Sequence, residues 1–485
     1  MSSAGEIVGE TFELPTEILE EIFSHLTIDP LCNARSTCRR WKTIVDAKQS
    51  LVEKLNFTFR CTEPDTLDTD YQPEMADVPI RAAILSLVNI VEIDAWWPAL
   101  GSGLTTLRLF DCKVALERLV DMLRHTPNLV NLTLKSLEYT SLECAAPDFQ
   151  LDRLEKLRIK EDSMFEALIP ICPKLKRFFL ESGYSEDSRD SMCCKLIKNV
   201  RLTLEELDFT LSEYGNQYLF GINEVQAKSE PIFPNLKRMD IFFRDEIRLE
   251  SEGISIAPYL TAMPLLEELC IYASHCVELD GLFATNLKKL TLYEFYSNDL
   301  DSLAAGAPKL RELQLEGGGL PWWGDIFEVI DKIPTLRCLE VSGPEPISSE
   351  QPCLSNARPN NLEVLSLYEC DRFYAKSLNI FLKLSSQLKQ LSLLRMDMND
   401  KTIEIIGRNL CQLEEVELDI RGYVEKDSAK FIIMYCLKLK KFKIYNYKQF
   451  YEEAKKLNEE RQRNLLVEYV EYSEYVDYRE RYDYY

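Results

Sequence analysis

Residues 361–388 read NLEVLSLYECDRFYAKSLNIFLKLSSQL, and this stretch contains the pattern that decides the fold. Its first part has the frame L-x-x-L-x-L, which predicts a short strand with one apolar face, at Leu362, Leu365 and Leu367. Its second part has apolar residues at helical spacing, at Leu378, Phe381 and Leu382. One such unit leaves its apolar strand edge uncovered, because only another copy can close the wedge beside it. The stretch therefore predicts neighbours of the same kind.

The same frame recurs along most of the chain, at a mean step of about 26 residues, inside the range of about 20–29 residues typical of leucine-rich repeats. Its first position is a leucine in fourteen copies, namely Leu104, Leu129, Leu154, Leu175, Leu204, Leu236, Leu266, Leu287, Leu310, Leu336, Leu362, Leu388, Leu413 and Leu439. Two looser copies precede them, namely Val52-Leu55-Phe57, a candidate cap for the exposed end of the stack, and Val88-Val91-Ile93.

The repeats predict an α/β fold, in which a short N-terminal helical module is followed by a curved leucine-rich-repeat solenoid, or horseshoe, with a concave parallel β-sheet and convex helices. We assign residues 51–445 to this solenoid, with the regular repeats beginning at residue 104. The intervals around residues 181–203 and 212–235 are long. Such insertions are either binding loops or tolerated surface length.

Charge and composition exclude several classes of protein. The chain of 485 residues has 57 basic and 80 acidic residues and a net charge of −23, which argues against a nucleic-acid or anionic-membrane surface. The start of the sequence lacks a secretory signal, and no stretch approaches the roughly 18 apolar residues of a membrane span. We therefore expect a soluble protein of the cytoplasm or the nucleus. The scattered cysteines are expected to be buried reduced thiols, among them Cys112, Cys172, Cys370 and Cys411.

The N-terminal region differs from the repeats. Residues 1–11 are expected to be a disordered leader, and residues 12–50 predict three short helices. Pro15 suits a first helical turn, Asp29-Pro30 suits the start of a second helix, and Trp41 lies on the apolar face of a third. So short a segment cannot bury this much apolar surface alone. It therefore needs a partner.

The motifs L-P-x-E-I-L-x-x-I-F-x-x-L, D-P-L and C-R-R-W-K-x-I in residues 14–44 resemble an F-box. One departure is Ser36-Thr37, where an apolar residue is more usual before the cysteine. The resemblance implies docking on the Skp-family adaptor of a cullin-RING, or SCF-type, ubiquitin ligase, and through it on the cullin and RING subunits. It implies adaptor-binding roles for Leu14, Pro15, Glu17, Ile18, Ile22, Phe23, Leu26, Leu31 and Trp41. The alternative is a helical cap on the solenoid.

Two segments outside the repeat frame receive a simpler interpretation. Residues 60–80 are acidic and contain prolines, which predicts a surface loop between strands. Residues 446–485 are charged and rich in tyrosine. They predict either a short C-terminal helix that frays or an acidic tail.

No catalytic, cofactor or metal site is predicted. The three histidines, His25, His125 and His275, are isolated in the sequence. None of them has cysteines nearby at the spacing of zinc ligands. The run Gly317-Gly318-Gly319 is followed by Leu-Pro-Trp and lacks the Gly-Lys-Ser/Thr of a phosphate-binding loop. We expect a protein that acts by binding and not as an enzyme.

Strand alternation places the residues between and just after the last two apolar frame positions on the concave face. Aromatic residues recur there, which suits a protein interface, although the rings alternatively only pack on one another. The early repeats are locally basic, and Arg177 is one of their basic residues. These residues suggest that the early repeats contact an acidic or phosphorylated segment of the substrate. The alternative is that the charges are only solvated. The residues predicted to bind a substrate are Lys135, Lys156, Arg158, Lys160, Phe242, Tyr272, Tyr293, Tyr368 and Tyr445.

The F-box resemblance and the repeats together suggest a substrate-recognition subunit of an SCF-type ligase, which presents a protein substrate for ubiquitination and proteasomal degradation. The alternative is an intracellular scaffold or inhibitor similar to ribonuclease-inhibitor-type repeat proteins. In that alternative the N-terminal helices serve only as a cap.

Overall fold

A computed structural model gives the fold, and it divides the chain into two compact units, Met1–Leu204 and Glu205–Tyr485. The structure describes residues 14–52, 54–67, 80–160, 165–180, 187–211, 219, 232–243, 254–255, 260, 262–272, 277–278, 284–293, 301–316, 330–343, 359–369, 375–421 and 424–471.

The first unit begins with a helical module of four short helices, namely α1 (Thr16–Ser24), α2 (Ile28–Thr37), α3 (Arg39–Ala47) and α4 (Gln49–Val52). The module has its own hydrophobic core, made of Leu19, Phe23, Leu31, Ala34, Ile44, Val45, Leu51 and Leu55. Trp41 packs edge-on against Phe23, with 5.3 Å between the ring centroids. Arg35, which is buried, donates two hydrogen bonds of 2.6 and 3.0 Å to Asp46 and thereby ties α2 to α3.

The repeats of the first unit follow this module. Their strands are β1 (Asn56–Leu67), β2 (Ala82–Ile90), β3 (Thr106–Phe110), β4 (Lys113–Val114), β5 (Asn131–Lys135), β6 (Glu138–Tyr139), β7 (Lys156–Ile159) and β8 (Arg177–Leu180). Their helices are α5 (Trp97–Gly101), α6 (Leu116–Arg124), α7 (Phe165–Leu168) and α8 (Asp187–Val200). The longer strands pair in parallel in the order β1, β2, β3, β5, β7 and β8.

The second unit continues the same architecture. Its strands are β9 (Glu206–Leu211), β10 (Arg238–Phe243), β11 (Ile254–Ser255), β12 (Glu268–Tyr272), β13 (Val277–Glu278), β14 (Lys289–Tyr293), β15 (Glu312–Glu316), β16 (Cys338–Ser342), β17 (Val364–Tyr368), β18 (Gln390–Asp397), β19 (Glu415–Arg421), β20 (Lys441–Tyr445) and β21 (Leu466–Val470). Its helices are α9 (Asp301–Gly306), α10 (Ala375–Leu384), α11 (Asp400–Asn409), α12 (Ala429–Tyr435) and α13 (Lys448–Glu460), with a 3₁₀ turn at Lys426–Ser428.

Apart from the short pair β11–β13, the strands of the second unit form one parallel sheet in chain order. Leu365 and Leu367 of β17 are in register with Leu339 and Val341 of β16, and all four are buried. The helix predicted from the second part of residues 361–388 is α10, which buries Leu378, Phe381 and Leu382. The predicted fold class, N-terminal helices followed by a leucine-rich-repeat solenoid with a parallel sheet, is confirmed.

Many repeats have the same bend, two residues after the last apolar position of the frame. The bend residue has a left-handed backbone conformation with positive φ, as in Leu87, Asp111, Ser136, Gly343, Glu369, Arg395 and Asn446. Its amide group donates to the following strand, for example from Asp111 to the carbonyl of Lys135 at 3.0 Å. This bend turns the chain away from the sheet while its backbone hydrogen bond is kept.

Three sequence predictions need correction. Residues 60–67 are not a loop, because they extend strand β1; residues 68–79 lie outside the described residues. The two looser copies, Val52-Leu55-Phe57 and Val88-Val91-Ile93, were placed in the wrong frame. The residues of β2 in register with Leu107 and Leu109 are Ala83 and Leu85, and those of β1 in register with Ala83 and Leu85 are Phe57 and Phe59. Ala83 is too small to mark the frame in the sequence. The repeats also continue past residue 445, because helix α13 is followed by strand β21, which pairs with β20.

The cysteines follow the burial prediction in part. Cys112, Cys172 and Cys436 are buried free thiols, whereas Cys411 is exposed, so the prediction of burial is wrong for Cys411. Cys370 lies outside the described residues. Within the described ranges, no helix has the length and apolar character needed to cross a membrane.

Gly407 lies where the backbone of α11 comes close to the backbone of α12. A Cβ atom at this position would lie 2.3 Å from the carbonyl oxygen of Phe431. We expect Gly407→Ala to lower the free energy of unfolding by about 1–3 kcal/mol, because the two backbones must separate. Urea unfolding followed by circular dichroism measures this. Lys401→Ala, at an exposed position of the same helix, should change stability by less than about 0.5 kcal/mol; equal effects would contradict the proposed close contact.

Burial raises the pKa of Cys172 to about 12 and that of Cys436 to about 12. Little thiolate is therefore present at pH 8, and access is blocked as well. We expect iodoacetamide to label exposed Cys32, Cys38 and Cys411 in the native protein, and to label Cys172 and Cys436 only in denaturant. Peptide mass mapping reads the sites. Rapid labelling of Cys172 in the native protein would contradict the burial of this thiol.

Candidate protein-interaction surfaces

The N-terminal module leaves an apolar edge uncovered in this chain. Leu14, Ile18 and Ile22 follow one another at intervals of four residues, and they are 49%, 49% and 43% exposed. Residues spaced by four lie on one face of a helix, so Ile18 and Ile22 form one stripe on α1 that Leu14 extends. Pro15 and Glu17 are exposed beside it. Arg40 donates a 2.6 Å hydrogen bond to the carbonyl of Leu14 and holds this end of the stripe to α3. We call Leu14, Ile18 and Ile22 the apolar edge.

The remaining predicted adaptor-binding residues have other positions. Phe23 and Leu31 are buried in the core of the module, while Leu26 and Trp41 are partly buried against that core. Their direct contact with an adaptor stays a prediction, but in this structure they support the helices that carry the exposed residues. Ile28, at the start of α2, is 39% exposed and was missed. An apolar residue at a helix start is the only signal that the sequence offered for it.

The sheet face of the first unit that is not covered by helices carries a set of cations. In β3, β5 and β7 these open-face positions alternate with the buried ones. We call the six basic residues at these positions the cationic face, namely Arg108, Lys135, Lys156, Arg158, Lys160 and Arg177. Arg108, which sequence reasoning did not select, occupies the frame position between Leu107 and Leu109.

Phe179 lies among these cations on β8 and organises two of them. The Lys156 ammonium and the Arg158 guanidinium lie 5.1 and 5.0 Å from the centroid of its ring. Both distances suit cation–π attraction. The aromatic ring therefore holds two positive charges close together on the sheet.

The aromatic residues predicted on the open face of the second unit form a stack. Phe242 and Tyr272 are parallel at 3.9 Å between centroids, and Tyr272 and Tyr293 at 4.2 Å. In-register strands place them side by side. The rings thus do pack on one another, and each of the three side chains is half-buried. Gln314 extends the row with a hydrogen bond of 3.5 Å to the Tyr293 hydroxyl.

Beside this stack, buried polar groups shape the local electrostatics. Burial raises the pKa of the Asp240 carboxyl, although Arg238, whose guanidinium lies 3.2 Å away, opposes the shift. Burial also raises the pKa of the Cys270 thiol, and the charge of Asp240 adds to this. The pKa of Tyr272 is raised chiefly by burial. The thiol and the phenol are therefore neutral at physiological pH.

Tyr368 and Tyr445 differ from the stacked residues. Tyr368 is half-buried beneath the Arg395 guanidinium, which lies 5.5 Å from its ring centroid, and it borders a shallow depression of about 90 Å³. Small residues on successive strands, Ser342, Ser366 and Ser392, leave this space. Tyr445 is only 6% exposed, so it offers little surface.

The first tryptophan pair noted in the sequence belongs to the core. Trp96 and Trp97 are buried, and Trp97 donates a 2.9 Å hydrogen bond to the carbonyl of Met122. Gly317-Gly318-Gly319 and most of residues 212–235 lie outside the described residues. In the parts of the chain for which coordinates are described, no group of three histidine, cysteine or acidic side chains is arranged to hold a metal.

Comparisons with known proteins are consistent with the N-terminal geometry. Residues 11–58 match the family described as F-box-like. A search of curated proteins finds no match. The chain is similar to an internalin from Listeria monocytogenes, at 13% identity and a TM-score of 0.35, covering 88% of this chain and 93% of that one. It is also similar to a leucine-rich-repeat protein from Leptospira interrogans, at 14% identity and a TM-score of 0.40, covering 87% and 92%.

The F-box assignment rests on residues 11–58, and the repeat assignment rests on the recurring frame and on the strands that it forms. Both parts of the sequence prediction meet in one polypeptide. The chain therefore combines an F-box-like segment at residues 11–58 with leucine-rich repeats.

Proposed function

We propose that this chain is the substrate-recognition subunit of an SCF-type, or cullin-RING, E3 ubiquitin ligase. Its F-box helices bind a Skp-family adaptor, which brings the cullin and RING subunits. The open sheet face of its repeats binds a protein substrate. The chain itself performs no chemistry, because its role is to hold the substrate in place for ubiquitin transfer, which leads to proteasomal degradation.

The apolar edge is the observation that carries this proposal. Leu14, Ile18 and Ile22 are exposed although the module has a filled core of its own. A row of large apolar side chains in water is typical of a protein-binding surface. Covering the edge with a partner removes that surface from water, at a gain of about 25 cal/mol for each Å².

The alternative of a helical cap fits this edge less well. A cap on a repeat stack exists to cover apolar surface, so its own apolar stripe should face the first repeat. In the described structure Leu51 and Leu55, which lead into the first repeat, are buried in the core of the module, whereas the stripe of α1 is exposed. The exposed stripe therefore supports docking to another protein and disfavours a scaffold whose helices only close an end.

Ile22→Asp tests the docking edge directly. A carboxylate buried at the interface without a partner costs about 3–5 kcal/mol, which corresponds to a loss of affinity of more than about 100-fold. We expect the variant to lose a Skp-family adaptor in co-expression and pull-down. Phe23→Asp is unsuitable for this purpose, because Phe23 belongs to the core and its replacement unfolds the module.

Leu437→Asp is the matched control, since Leu437 is an exposed leucine in the second unit at 73% exposure. It should keep adaptor binding within about twofold, because a carboxylate there stays in water. Retention of the adaptor by Ile22→Asp at wild-type affinity would contradict the proposed docking mode.

The same substitution distinguishes a receptor from a capped scaffold when no adaptor is present. An uncovered docking edge promotes self-association, so the wild-type chain expressed alone should aggregate and should become soluble on co-expression. Ile22→Asp should raise the monomer yield of the chain expressed alone, as measured by size-exclusion chromatography. A wild-type chain that is a monodisperse monomer without adaptor would favour the scaffold.

A further inference from the structure

One repeat of the first unit has no helix beside α6. In the repeat that contains α6, this helix connects β4 to β5, whereas in the next repeat the connection from β6 to β7, residues 140–155, contains no helix. Pro147 disfavours a helical conformation at Ala146, the residue before it. The chain therefore passes α6 as a non-helical segment where the repeat pattern would place a helix. A single strand of chain is thinner than a helix, so space is left beside α6.

This segment is anchored at both ends of α6. The amide group of Leu116, the first residue of α6, donates a 2.9 Å hydrogen bond to the carbonyl of Ser141. At the last residue of α6, Arg124 contacts the carboxylate of Asp148 at 2.6 Å. Residues 141–148 therefore run beside the helix from its beginning to its end, and the space between them is a groove with two fixed walls.

The groove lies between α6, the end of β2 and residues 140–147, and we call it the α6 groove. Its cavity volume is about 560 Å³, within the range of about 300–1,000 Å³ typical of binding sites. Ile90 and Val120 are buried among its lining residues, and Val91, which also lines it, is 45% exposed. Ala146 is an exposed lining residue with a short side chain, which leaves room for the side chains of a ligand.

The described charges along the α6 groove are predominantly negative. Arg118 contacts Asp94 at 2.6 Å and Asp121 at 3.7 Å, and Arg124 lies 3.9 Å from Asp121. Glu117 also lines the groove and is exposed, and no ion pair to it is found among the described residues. With the carboxylate that Arg124 holds at the end of the segment, four carboxylates stand against two arginines, a net charge of −2. Such a groove attracts a cationic partner.

The backbone of the segment also offers hydrogen bonds. In the described structure, the main-chain groups of residues 142–147 make no hydrogen bond to another main-chain group. A peptide that adds to such a segment gains main-chain hydrogen bonds, while alternate side chains enter the space beside it. The exposed main chain therefore favours an extended ligand over a folded one.

From the cavity, the exposed main chain and the excess of carboxylates we infer that the α6 groove binds an extended peptide segment of a partner protein, in which apolar residues alternate with lysine or arginine. Successive side chains of an extended peptide point to opposite sides, so the apolar ones contact Ile90 and Val120 while the basic ones approach Glu117. Helix α6 has nine residues and a length of about 14 Å. At about 3.3 Å per residue, about four peptide residues lie along it.

This site goes beyond the proposed receptor function and does not depend on it. The α6 groove contains no residue of the apolar edge and no residue of the open sheet face to which we assign the substrate. Peptide binding by a chain that fails to bind the adaptor would contradict only the receptor function. Adaptor binding without peptide binding would contradict only the inference about the α6 groove.

The test uses the purified full-length chain, with the Skp-family adaptor when it co-purifies. Fluorescence anisotropy compares peptides of equal length that alternate lysine with valine, glutamate with valine, or lysine with serine. We expect the lysine–valine peptide to bind, and the other two to bind at least about tenfold more weakly, because one loses the charge attraction and the other the apolar contact. The lysine–valine peptide with every amide nitrogen methylated should lose at least about tenfold as well, because it has no main-chain donors.

Cys144 lines the groove and reports where the peptide binds. Its thiol is half-buried, and burial raises its pKa, so alkylation is followed at about pH 9. The bound lysine–valine peptide should slow alkylation of Cys144 by about threefold or more and leave that of exposed Cys411 unchanged. Equal protection of both thiols, or protection of neither, would place the peptide elsewhere and overturn the inference.

Two substitutions alter the groove at exposed side chains, so folding should persist. Glu117→Lys replaces attraction of the basic residues by repulsion, and Ala146→Trp fills the space that the peptide occupies. Each should weaken the lysine–valine peptide by about tenfold or more. Melting curves of the same preparations distinguish loss of the site from unfolding.

Each substitution has a matched control in the same unit. Glu166, like Glu117, is an exposed glutamate in the first turn of a helix, so Glu166→Lys makes the same change in charge and in helix electrostatics. Ala99→Trp adds the same side chain at an exposed position of α5 that does not line the groove. Both controls should change affinity by less than about twofold. Equal losses in a variant and its control, wild-type affinity in both groove variants, or absence of binding by the lysine–valine peptide would overturn the inference.

Discussion

The longer described strands of the repeats each present two or more apolar residues that one strand cannot bury alone. Leu365 and Leu367 become solvent-inaccessible because Leu339 and Val341 lie beside them in register on the preceding strand. The parallel backbone hydrogen bonds and the apolar contacts therefore form together, repeat by repeat. This dependence explains why the frame tolerates Ala83 in β2, where the neighbouring strands supply the apolar surface, and why a further strand, β21, follows β20 at the end of the second unit.

The same constraint leaves one sheet face available for function. Because inward positions are committed to the core, the alternate positions are free to differ between repeats without unfolding the stack. The first unit uses them for cations held around Phe179, whereas the second unit uses them for stacked rings and carboxylates. Burial beside the stack keeps Cys270 and Tyr272 neutral, so that region contributes shape and hydrogen bonds more than charge.

The N-terminal module follows a different logic. Its core residues, such as Leu19 and Phe23, hold the helices against one another, and the hydrogen bonds from buried Arg35 to half-buried Asp46 tie α2 to α3. What remains is an apolar edge whose exposure has no structural use within the chain. The helical periodicity of α1 includes both Ile22 and Phe23. Of these two neighbours, only Ile22 is exposed to water, whereas Phe23 is buried in the core.

The sequence by itself determined the repeat period, the strand-and-helix pattern of a repeat and the F-box resemblance. These features depend on local apolar spacing and on a contiguous motif. It could not determine which predicted contact residues are exposed, since exposure depends on what covers a side chain from other repeats. Tertiary structure placed Phe23 and Leu31 in a core, covered Tyr445, stacked Tyr272 between two rings and added Arg108 to the cationic face. Burial and register are properties of neighbours distant in sequence, so only the folded chain decides them.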